Sequence, residues 1–306
     1  MDRLSSEQRK RFYALMSISN KFHPKYVVTK ETKFQKTLTD DIIASTLCKY
    51  AAQDIYNIPD VILCTDRKNR IGIKGHLIYH FTKDMERFVD VTTASDKGNV
   101  VIMGHGTFNS LKRPLKGRVN VVISKDTQWA FEIMEKFPVE YKMDDWGNKI
   151  PTCGVVVVPD IDEVFLKEHF KRYVETEDNY EGWQFTAIGG RSVYDETIFE
   201  GFFDRAYITI VDLIDDNNGD DVTVEELLNA NKADVVKLNN DVSVYLDHFA
   251  MKDVETAEAC ATKGIINVDK EIEVNAILDF QTWLNAWKFV PARLNYELGE
   301  AIKYIE

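Results

Sequence analysis

Long apolar runs are missing from this sequence, and their absence excludes a membrane-spanning protein. No apolar run approaches the roughly 18 residues that a transmembrane helix needs. The first residues, MDRLSSEQRKRFYALM, contain no continuous apolar segment of the kind found in a secretory signal. We therefore expect a soluble, cytoplasmic protein with no membrane partner.

Cysteines are few, and their spacing matches no familiar framework. The four cysteines at positions 48, 64, 153 and 260 form no CxxC pair. This scatter indicates neither a disulfide framework nor a zinc site. We expect free thiols and no bound metal.

A basic surplus is also missing, since the formal net charge is -12. Residues 212–306 carry 8 Lys and Arg against 20 Asp and Glu, whereas the remainder of the chain is close to balanced. An acidic surface of this kind argues against nucleic acid as the main ligand. The segment is interpreted either as a solvated acidic surface or as a docking site for a basic partner.

Short apolar runs bounded by turn residues fill the middle of the chain and indicate strands buried on both faces. Helical patterns lie between the runs, at 82–91 and 160–174. Alternating strands and helices favour an α/β fold with a central, mostly parallel sheet flanked by helices. The runs are VILC at 61–64, VVIM at 100–103, VNVVIS at 119–124, VVVV at 155–158, FTAI at 185–188 and YITIV at 207–211.

The two ends of the chain show weaker patterns. Apolar residues near positions 12–16 and 43–51 predict short helices, while VVKLNNDVSVYL at 235–246 predicts a hairpin that would complete the sheet. Helical periodicity then runs from Ile277 to Val290 and is interrupted at Pro291. These patterns divide the chain into a helical N-terminal extension (1–59), an α/β domain (60–250) and an acidic, partly helical C-terminal extension (251–306).

A single carboxylate stands out among the residues that carry chemistry. Asp84 lies on the helix predicted after the IGIKGH loop, between Ile78, Phe81 and Phe88. A carboxylate in an apolar setting can bind a protonated heterocycle through both oxygens. Taken alone, it can equally be a solvent-facing residue that stabilises the first turn of a helix.

Glycines follow two of the predicted strands. Gly189-Gly190 comes after one strand, and Gly104-His105-Gly106-Thr107 follows another. Glycine turns let the backbone approach a phosphate, although a Gly-Gly pair is also ordinary turn geometry. Two such turns suggest one extended anionic ligand across the carboxyl ends of the sheet.

Four segments together resemble the dihydrofolate reductase family. The resemblance covers residues 61–211, about half of the chain, and its four blocks occur in one order. It implies that the α/β domain has the fold of that family and reduces dihydrofolate with NADPH. The segments are RIGIKGHLIYHFTKDMERF at 70–88, VIMGHGTFNSLKRPLKGRVNVVIS at 101–124, AIGGRSVYDETI at 187–198 and AYITIV at 206–211.

The resemblance assigns roles to individual residues. Asp84 matches the acid that binds the pterin and promotes its protonation at N5, and Thr209 matches the threonine hydrogen-bonded to that acid. Tyr79 replaces the tryptophan of the family's proline-tryptophan pair and is expected to anchor a water network. Dihydrofolate and antifolates are expected to contact Leu63, Cys64, Thr65, Phe88, Leu115 and Arg118, with the arginine holding the α-carboxylate of the folate tail.

NADPH is expected to bind along the two glycine turns and the strands beside them. His105 stands where a basic residue is common in the family, and Arg191 and Ser192 replace a third small residue after the glycine pair. The expected cofactor contacts are Ile71, Gly72, Gly104, His105, Gly106, Thr107, Ser124, Lys125, Ile188, Gly189, Gly190, Arg191, Ser192, Val193 and Tyr194.

Residues 125–153 look like an insertion relative to the family. They are interpreted either as a lid or partner-docking loop, or as a surface hairpin packed on its own Trp129, Phe131 and Trp146. Because the ends of the chain are long, a second hypothesis stays open. The protein could be a structural or assembly protein that keeps the reductase fold and pocket while its extensions bind a protein partner or a second copy of the chain.

Overall fold

The structure is a computed structural model that describes residues 57–176, 180–199, 202–214, 223–268 and 270–285. The helices predicted near positions 12–16 and 43–51 lie outside these residues, as does the stretch from 286 onward. Residues Ile55–Asn285 form one compact unit. Within the described ranges, no helix is both long and apolar enough to cross a membrane.

Six parallel strands form the centre of the described sheet, in the order β10-β1-β9-β5-β6-β8. Their apolar runs are buried, as is typical of parallel strands covered on both faces. The prediction of a mostly parallel central sheet is confirmed, and each predicted run lies within one of these strands except VNVVIS, whose last residue, Ser124, follows the end of its strand. The strands are β1 (Asp60–Asp66), β5 (Asn99–Gly104), β6 (Val119–Ile123), β8 (Lys149–Val158), β9 (Gln184–Gly189) and β10 (Arg205–Leu213).

The strand order reverses beside β1, and this places the site. The chain moves outward from β1 through β5, β6 and β8, then returns so that β9 lies between β1 and β5 and β10 lies on the other side of β1. Ligands of open α/β sheets bind at such a switch point, beyond the carboxyl ends of the strands. At that edge β1 ends at Asp66, β5 at Gly104 and β9 at Gly189.

Antiparallel strands extend the sheet on both sides. On the β10 side β14 (Glu271–Asn285) pairs with β10, β13 (Glu258–Asn267) pairs with β14, and β4 (Tyr79–His80) pairs with β13. A short β12 (Ala250–Lys252) also pairs with β14, while β7 (Glu140–Met143) pairs with β8 at the far edge. The sheet therefore continues to Asn285, into the segment 251–306 that the sequence analysis treats as an extension.

The helix predicted from Ile277 onward is wrong for residues 277–285, which belong to β14. Ile272, Val274, Ala276 and Leu278 are buried, whereas the residues between them are exposed or partly exposed. This alternation has the period of two that a half-buried strand requires. Further along the strand, residues 280–283 are all buried, and the apolar residues there recur three and four positions apart as they would in a helix.

The hairpin predicted at 235–246 is also wrong in its second half. β11 (Val235–Lys237) is a strand, but it pairs with β2 (Arg70–Ile73) in a small separate sheet that also contains β3 (His76–Leu77). Residues Val242–Phe249 form a helix, which we call α8. Val242 and Leu246 are both buried, and their spacing of four residues fits a helical face as well as it fits a strand.

The remaining helices pack on the sheet or connect its strands. The predicted helix at 82–91 is confirmed as α1, whereas the predicted helix at 160–174 forms two single turns, α4 and α5, because Leu166 between them has an extended conformation. A π-helical turn at Asp195–Phe199 follows α6. The helices are α1 (Thr82–Thr92), α2 (His105–Leu111), α3 (Thr127–Lys136), α4 (Asp162–Phe165), α5 (Lys167–Phe170), α6 (Arg191–Tyr194) and α7 (Val224–Ala230).

The inserted segment 125–153 folds as helix α3 followed by the β7–β8 hairpin. The Asp126 carboxylate caps α3 by accepting from the Trp129 backbone N–H at 3.0 Å. Trp129 packs against the sheet, but Phe131 and Trp146 are 68% and 88% exposed. The prediction that these three aromatic residues pack on one another is therefore wrong, and the lid hypothesis stays a prediction.

Candidate active site

A buried carboxylate lies in the first turn of α1. The helix begins at Thr82, directly after the fully buried Phe81, which draws the first turn against the sheet. Asp84 is 4% exposed, so the alternative of a solvent-facing first-turn residue is excluded. An ionisable group buried in this way requires hydrogen-bond partners or a functional reason to be there.

Two neighbouring strands supply the partners of this carboxylate. Cys64 of β1 and Thr209 of β10 are paired in register, and both side chains donate hydrogen bonds to Asp84. Burial raises the pKa of Asp84, and the bonds from Thr209 and Cys64 counteract part of that effect. Burial also raises the pKa of the Cys64 thiol, and the nearby Asp84 charge adds to it, so the thiol remains protonated and can donate.

Tyr79 is turned toward a different acid. Its buried hydroxyl donates to the Asp66 carboxylate at 2.6 Å. Arg70 forms a buried ion pair with the same carboxylate and contacts Glu225 of α7 at 2.9 Å. The sequence analysis missed this network, which ties the start of the small sheet to the end of β1; the four-residue spacing of Asp66 and Arg70 was its only signal.

Arg87 is a second residue that the sequence analysis missed. It lies three residues after Asp84 on α1, on the same side of the helix, and its side chain reaches β10 and β14. Its position one helical turn after the acid was the available signal.

The residues expected along the folate channel lie either on β1 or on α1 and the loop before β6. Leu63 and Thr65 are buried within β1. Phe88 of α1 lies under the Arg118 guanidinium, whose carbon is 5.8 Å from the ring centroid. The Nε and Nη1 groups of Arg118 donate to the Lys116 carbonyl and the Thr92 hydroxyl. These bonds fix the plane of the guanidinium.

Leu115 lies beside this arginine in the turn before β6. Its backbone N–H donates to the Asn120 carboxamide at 2.8 Å, and the same carboxamide donates to the Leu115 carbonyl at 3.0 Å. Asn120 is fully buried, so this loop has a fixed conformation. Burial lowers the pKa of Arg118, which sits 7% exposed between the loop and α1.

The two glycine turns meet at the carboxyl edge of the sheet. A Cβ built on Gly104 would lie 3.9 Å from the Gly190 nitrogen, and one built on Gly190 would lie 3.2 Å from the Thr107 hydroxyl oxygen. Gly189 has a φ of +125°, a backbone conformation that residues other than glycine rarely adopt. The two turns therefore approach each other closely, with no Cβ atom on Gly104 or Gly190 between them.

Two rings in close contact lie beside these turns, with their planes tilted by 34°. The His105 and Trp129 ring centroids are 3.9 Å apart, and His105 Nδ1 is 3.5 Å from the Ser124 hydroxyl at the end of β6. Lys125, the next residue, is exposed. The inserted helix α3 thus contacts a residue of the expected phosphate site.

The other expected cofactor residues differ in how accessible they are. Arg191 and Ser192 are exposed, while Ile188 is partly buried. Val193 is buried, and the buried Tyr194 hydroxyl donates to the Ile62 carbonyl of β1 at 3.0 Å. Tyr194 therefore supports the turn from behind. Gly106 is exposed, whereas Ile71 and Gly72 lie in β2 of the small sheet, away from both turns in sequence.

No cluster of three or more His, Cys, Asp or Glu side chains in the described ranges has the geometry of a metal site.

Part of the chain is similar to known proteins. Residues 60–154 match the family model described as dihydrofolate reductase. The chain is 29% identical over 152 residues to the dihydrofolate reductase type 3 of Salmonella typhimurium, a match that covers 50% of this chain and 70% of that protein. It is 31% identical over 121 residues to the dihydrofolate reductase of Haemophilus influenzae, covering 39% of this chain and 66% of that protein.

Coverage of a third relative is much smaller. The chain is 26% identical over 128 residues to the dihydrofolate reductase of Schizosaccharomyces pombe, a match that covers 37% of this chain and 28% of that protein. In all three cases half of this chain or more lies outside the match.

Proposed function

We propose that this chain, whose residues 60–154 match the dihydrofolate reductase family model, reduces 7,8-dihydrofolate to 5,6,7,8-tetrahydrofolate with NADPH as cofactor. The observation that carries the proposal is the buried Asp84 carboxylate, hydrogen-bonded by Thr209 and Cys64 at the switch point of the sheet. Such a carboxylate suits the binding and protonation of a nitrogen heterocycle.

Asp84 has the properties that this task requires. Its carboxylate would accept hydrogen bonds from the pterin amino group and ring N–H, while Thr209 holds its orientation. Because burial raises its pKa, Asp84 is a better proton donor near neutral pH than an exposed aspartate would be. It therefore favours protonation at N5, directly or through water, and the resulting positive charge makes the adjacent C6 electrophilic.

The folate tail would lie along α1 toward Arg118. Phe88 and Leu115 provide apolar walls, and the fixed guanidinium provides a planar partner for the α-carboxylate. Leu63, Cys64 and Thr65 would border the pterin from β1.

The glycine turns fit a cofactor that carries phosphate groups. Gly104 and Gly190 leave a cradle that a Cβ would fill, and Thr107 provides a hydroxyl beside it, while Gly189 shapes the turn. We expect these residues, with Gly106, Arg191 and Ser192, to hold the pyrophosphate. His105, Ser124 and Lys125 would contact the 2'-phosphate. Ile71 and Gly72 would lie near the nicotinamide, which supplies the hydride for C6 when the cofactor is bound.

The proposal is tested by following the loss of NADPH absorbance after dihydrofolate is added to the purified full-length chain. We expect turnover that depends on both compounds and that a diaminopyrimidine antifolate inhibits. Circular dichroism establishes that the sample is folded. A folded protein without turnover would refute the proposal.

A structural or assembly role is the second candidate, and one observation favours it. Phe131, Met143 and Trp146 of the inserted segment are 68%, 62% and 88% exposed, which is unusual for large apolar side chains. Size-exclusion chromatography with light scattering, on the full chain and on terminally truncated forms, measures whether the chain forms an oligomer. A monomeric chain with full turnover would remove this alternative for self-assembly.

A further inference from the structure

Arg87 connects the acid of the site to two strands that lie outside the family-matched residues 60–154. Its Nη1 group donates to the Ile208 carbonyl at 3.1 Å and to the Thr209 hydroxyl oxygen at 3.4 Å. Its Nη2 group donates to the Gln281 carbonyl at 2.8 Å and to the Thr282 hydroxyl oxygen at 3.3 Å. One side chain of α1 thus bridges β10 and β14.

Aromatic rings hold the guanidinium in this position. Its carbon lies 5.1 Å from the Phe280 ring centroid and 5.6 Å from that of Tyr207. Two rings and four acceptors on two strands require the planar fork of an arginine, which the single ammonium of a lysine cannot match. The position of the positive charge is therefore fixed.

The bond from Arg87 also orients the hydroxyl of Thr209. Since the hydroxyl oxygen accepts from the guanidinium, its single hydrogen is directed to another acceptor, and Asp84 is that acceptor. Thr209 is fully buried, so water cannot take over either role.

The charge of Arg87 acts on the same carboxylate. Burial raises the pKa of Asp84, and after the hydrogen bonds from Thr209 and Cys64 the charge of Arg87 is the next influence that opposes this effect, ahead of His80. Burial lowers the pKa of Arg87, and the charge of Asp84 in turn opposes that. The other titratable groups that face the pair are Cys64 of β1, the exposed His80 of β4, Tyr207 of β10 and Asp279 of β14.

We propose that Arg87 is a positioning residue of this site, which directs the Thr209 hydroxyl onto Asp84 and stabilises the negative charge of that carboxylate. Only the expected loss of turnover rests on the proposed function, whereas the expected titration of Asp84 does not. It gives β14 a part in the site, because two of the four acceptors that hold Arg87 belong to that strand.

The test measures the titration of Asp84 by carbon NMR of labelled aspartate carboxyls in the full-length, ligand-free protein, with the signal assigned through Asp84→Asn. Arg87→Met removes the charge, Arg87→Gln is a second neutral variant in case the first does not fold, and Arg87→Lys keeps the charge. Arg67→Met is the matched control, because Arg67 is 72% exposed and paired with Asp212.

In the neutral variants we expect the Asp84 titration to move to higher pH by on the order of one unit, as loss of an adjacent opposite charge predicts. Arg87→Lys should keep most of the wild-type midpoint but lose turnover about tenfold, since it cannot hold both strands and Thr209. The control should titrate as wild type does.

Unshifted titration in a folded neutral variant would overturn the proposal, and so would an equal shift in Arg87→Lys. Because the titration needs no substrate, an inactive wild-type protein with the expected shift would refute the proposed function and leave this inference standing.

Discussion

Asp60 is buried at the edge of the sheet opposite the site, and its ionisation should limit stability near neutral pH. It is 9% exposed at the start of β1. Its carboxylate accepts from the Gln184 carboxamide at 2.6 Å and from the Arg205 backbone N–H at 3.1 Å. Burial raises its pKa to about 6, and the charge of Asp204 adds to this, while the Gln184 and Arg205 contacts oppose it.

The size of the effect follows from linkage between protonation and folding. An aspartate in an unfolded chain has a pKa of about 3.9. Between that value and about 6 the folded state retains a proton that the unfolded state has lost. The free energy of unfolding therefore falls as the pH rises through this window. By pH 7 the charged form costs about 3 kcal/mol.

Asp60→Asn should remove this cost. We expect the variant to be more stable than the parent at pH 7 to 8 by about 1–3 kcal/mol, since the amide must still satisfy Gln184 and Arg205. The gain should vanish near pH 4, where the parent aspartate is protonated in the folded state.

Thermal unfolding of both proteins from pH 4 to pH 8 measures the difference. Asp90→Asn is the matched control, because Asp90 is exposed on α1. A gain that does not depend on pH, or a less stable variant at pH 8, would refute the reasoning.

Three further predictions concern the site. Thr209→Val keeps the shape of the side chain but removes the hydrogen bond to Asp84. We therefore expect kcat/KM to fall roughly tenfold to a hundredfold in steady-state assays, and an unchanged value would contradict the role of this bond. Trp129→Ala removes the ring that contacts His105. We expect it to weaken NADPH binding about threefold to tenfold in fluorescence titrations and to leave kcat nearly unchanged. An unaltered Kd would count against a role of α3 in cofactor binding. Gly189→Ala places a side chain at a φ of +125°, which should lower the free energy of unfolding by about 1–3 kcal/mol. We expect a lower Tm and a lower NADPH affinity, and wild-type values would show that the turn tolerates a Cβ.

The central strands were predictable because a strand buried on both faces has an uninterrupted run of apolar residues. VVIM at 100–103 and VVVV at 155–158 have no polar residue, and each lies within a parallel strand. The glycine turn that follows β9 was predictable for a related reason, since few residues other than glycine adopt the φ of +125° found at Gly189.

The C-terminal strands were not predicted, because their pattern is ambiguous. In β14 the alternating part is followed by Phe280 to Trp283, all buried, and such a run fits helix and strand equally. Pairing with β10 decides the outcome, and pairing between distant segments cannot be read from local periodicity.

Tyr79 and Arg87 show which contacts of the site could not be predicted from the sequence. A resemblance places Tyr79 in the position of a conserved aromatic residue, but its hydroxyl bonds to Asp66, which is a neighbour only in the folded chain. The contacts of Arg87 likewise depend on where β14 lies. Asp84 and its hydrogen bond from Thr209 were accessible through the resemblance, whereas the contacts of Tyr79 and Arg87 were not.

The central claim is that the buried Asp84 carboxylate drives the reduction of dihydrofolate. Its most direct test compares the rate of NADPH oxidation with dihydrofolate at pH 7 in the wild-type chain, in Asp84→Asn and in Asp90→Asn. We expect kcat to fall by about 10²–10⁴ in Asp84→Asn, the usual contribution of a general acid, and to stay unchanged in Asp90→Asn. Equal rates in all three proteins would contradict the claim.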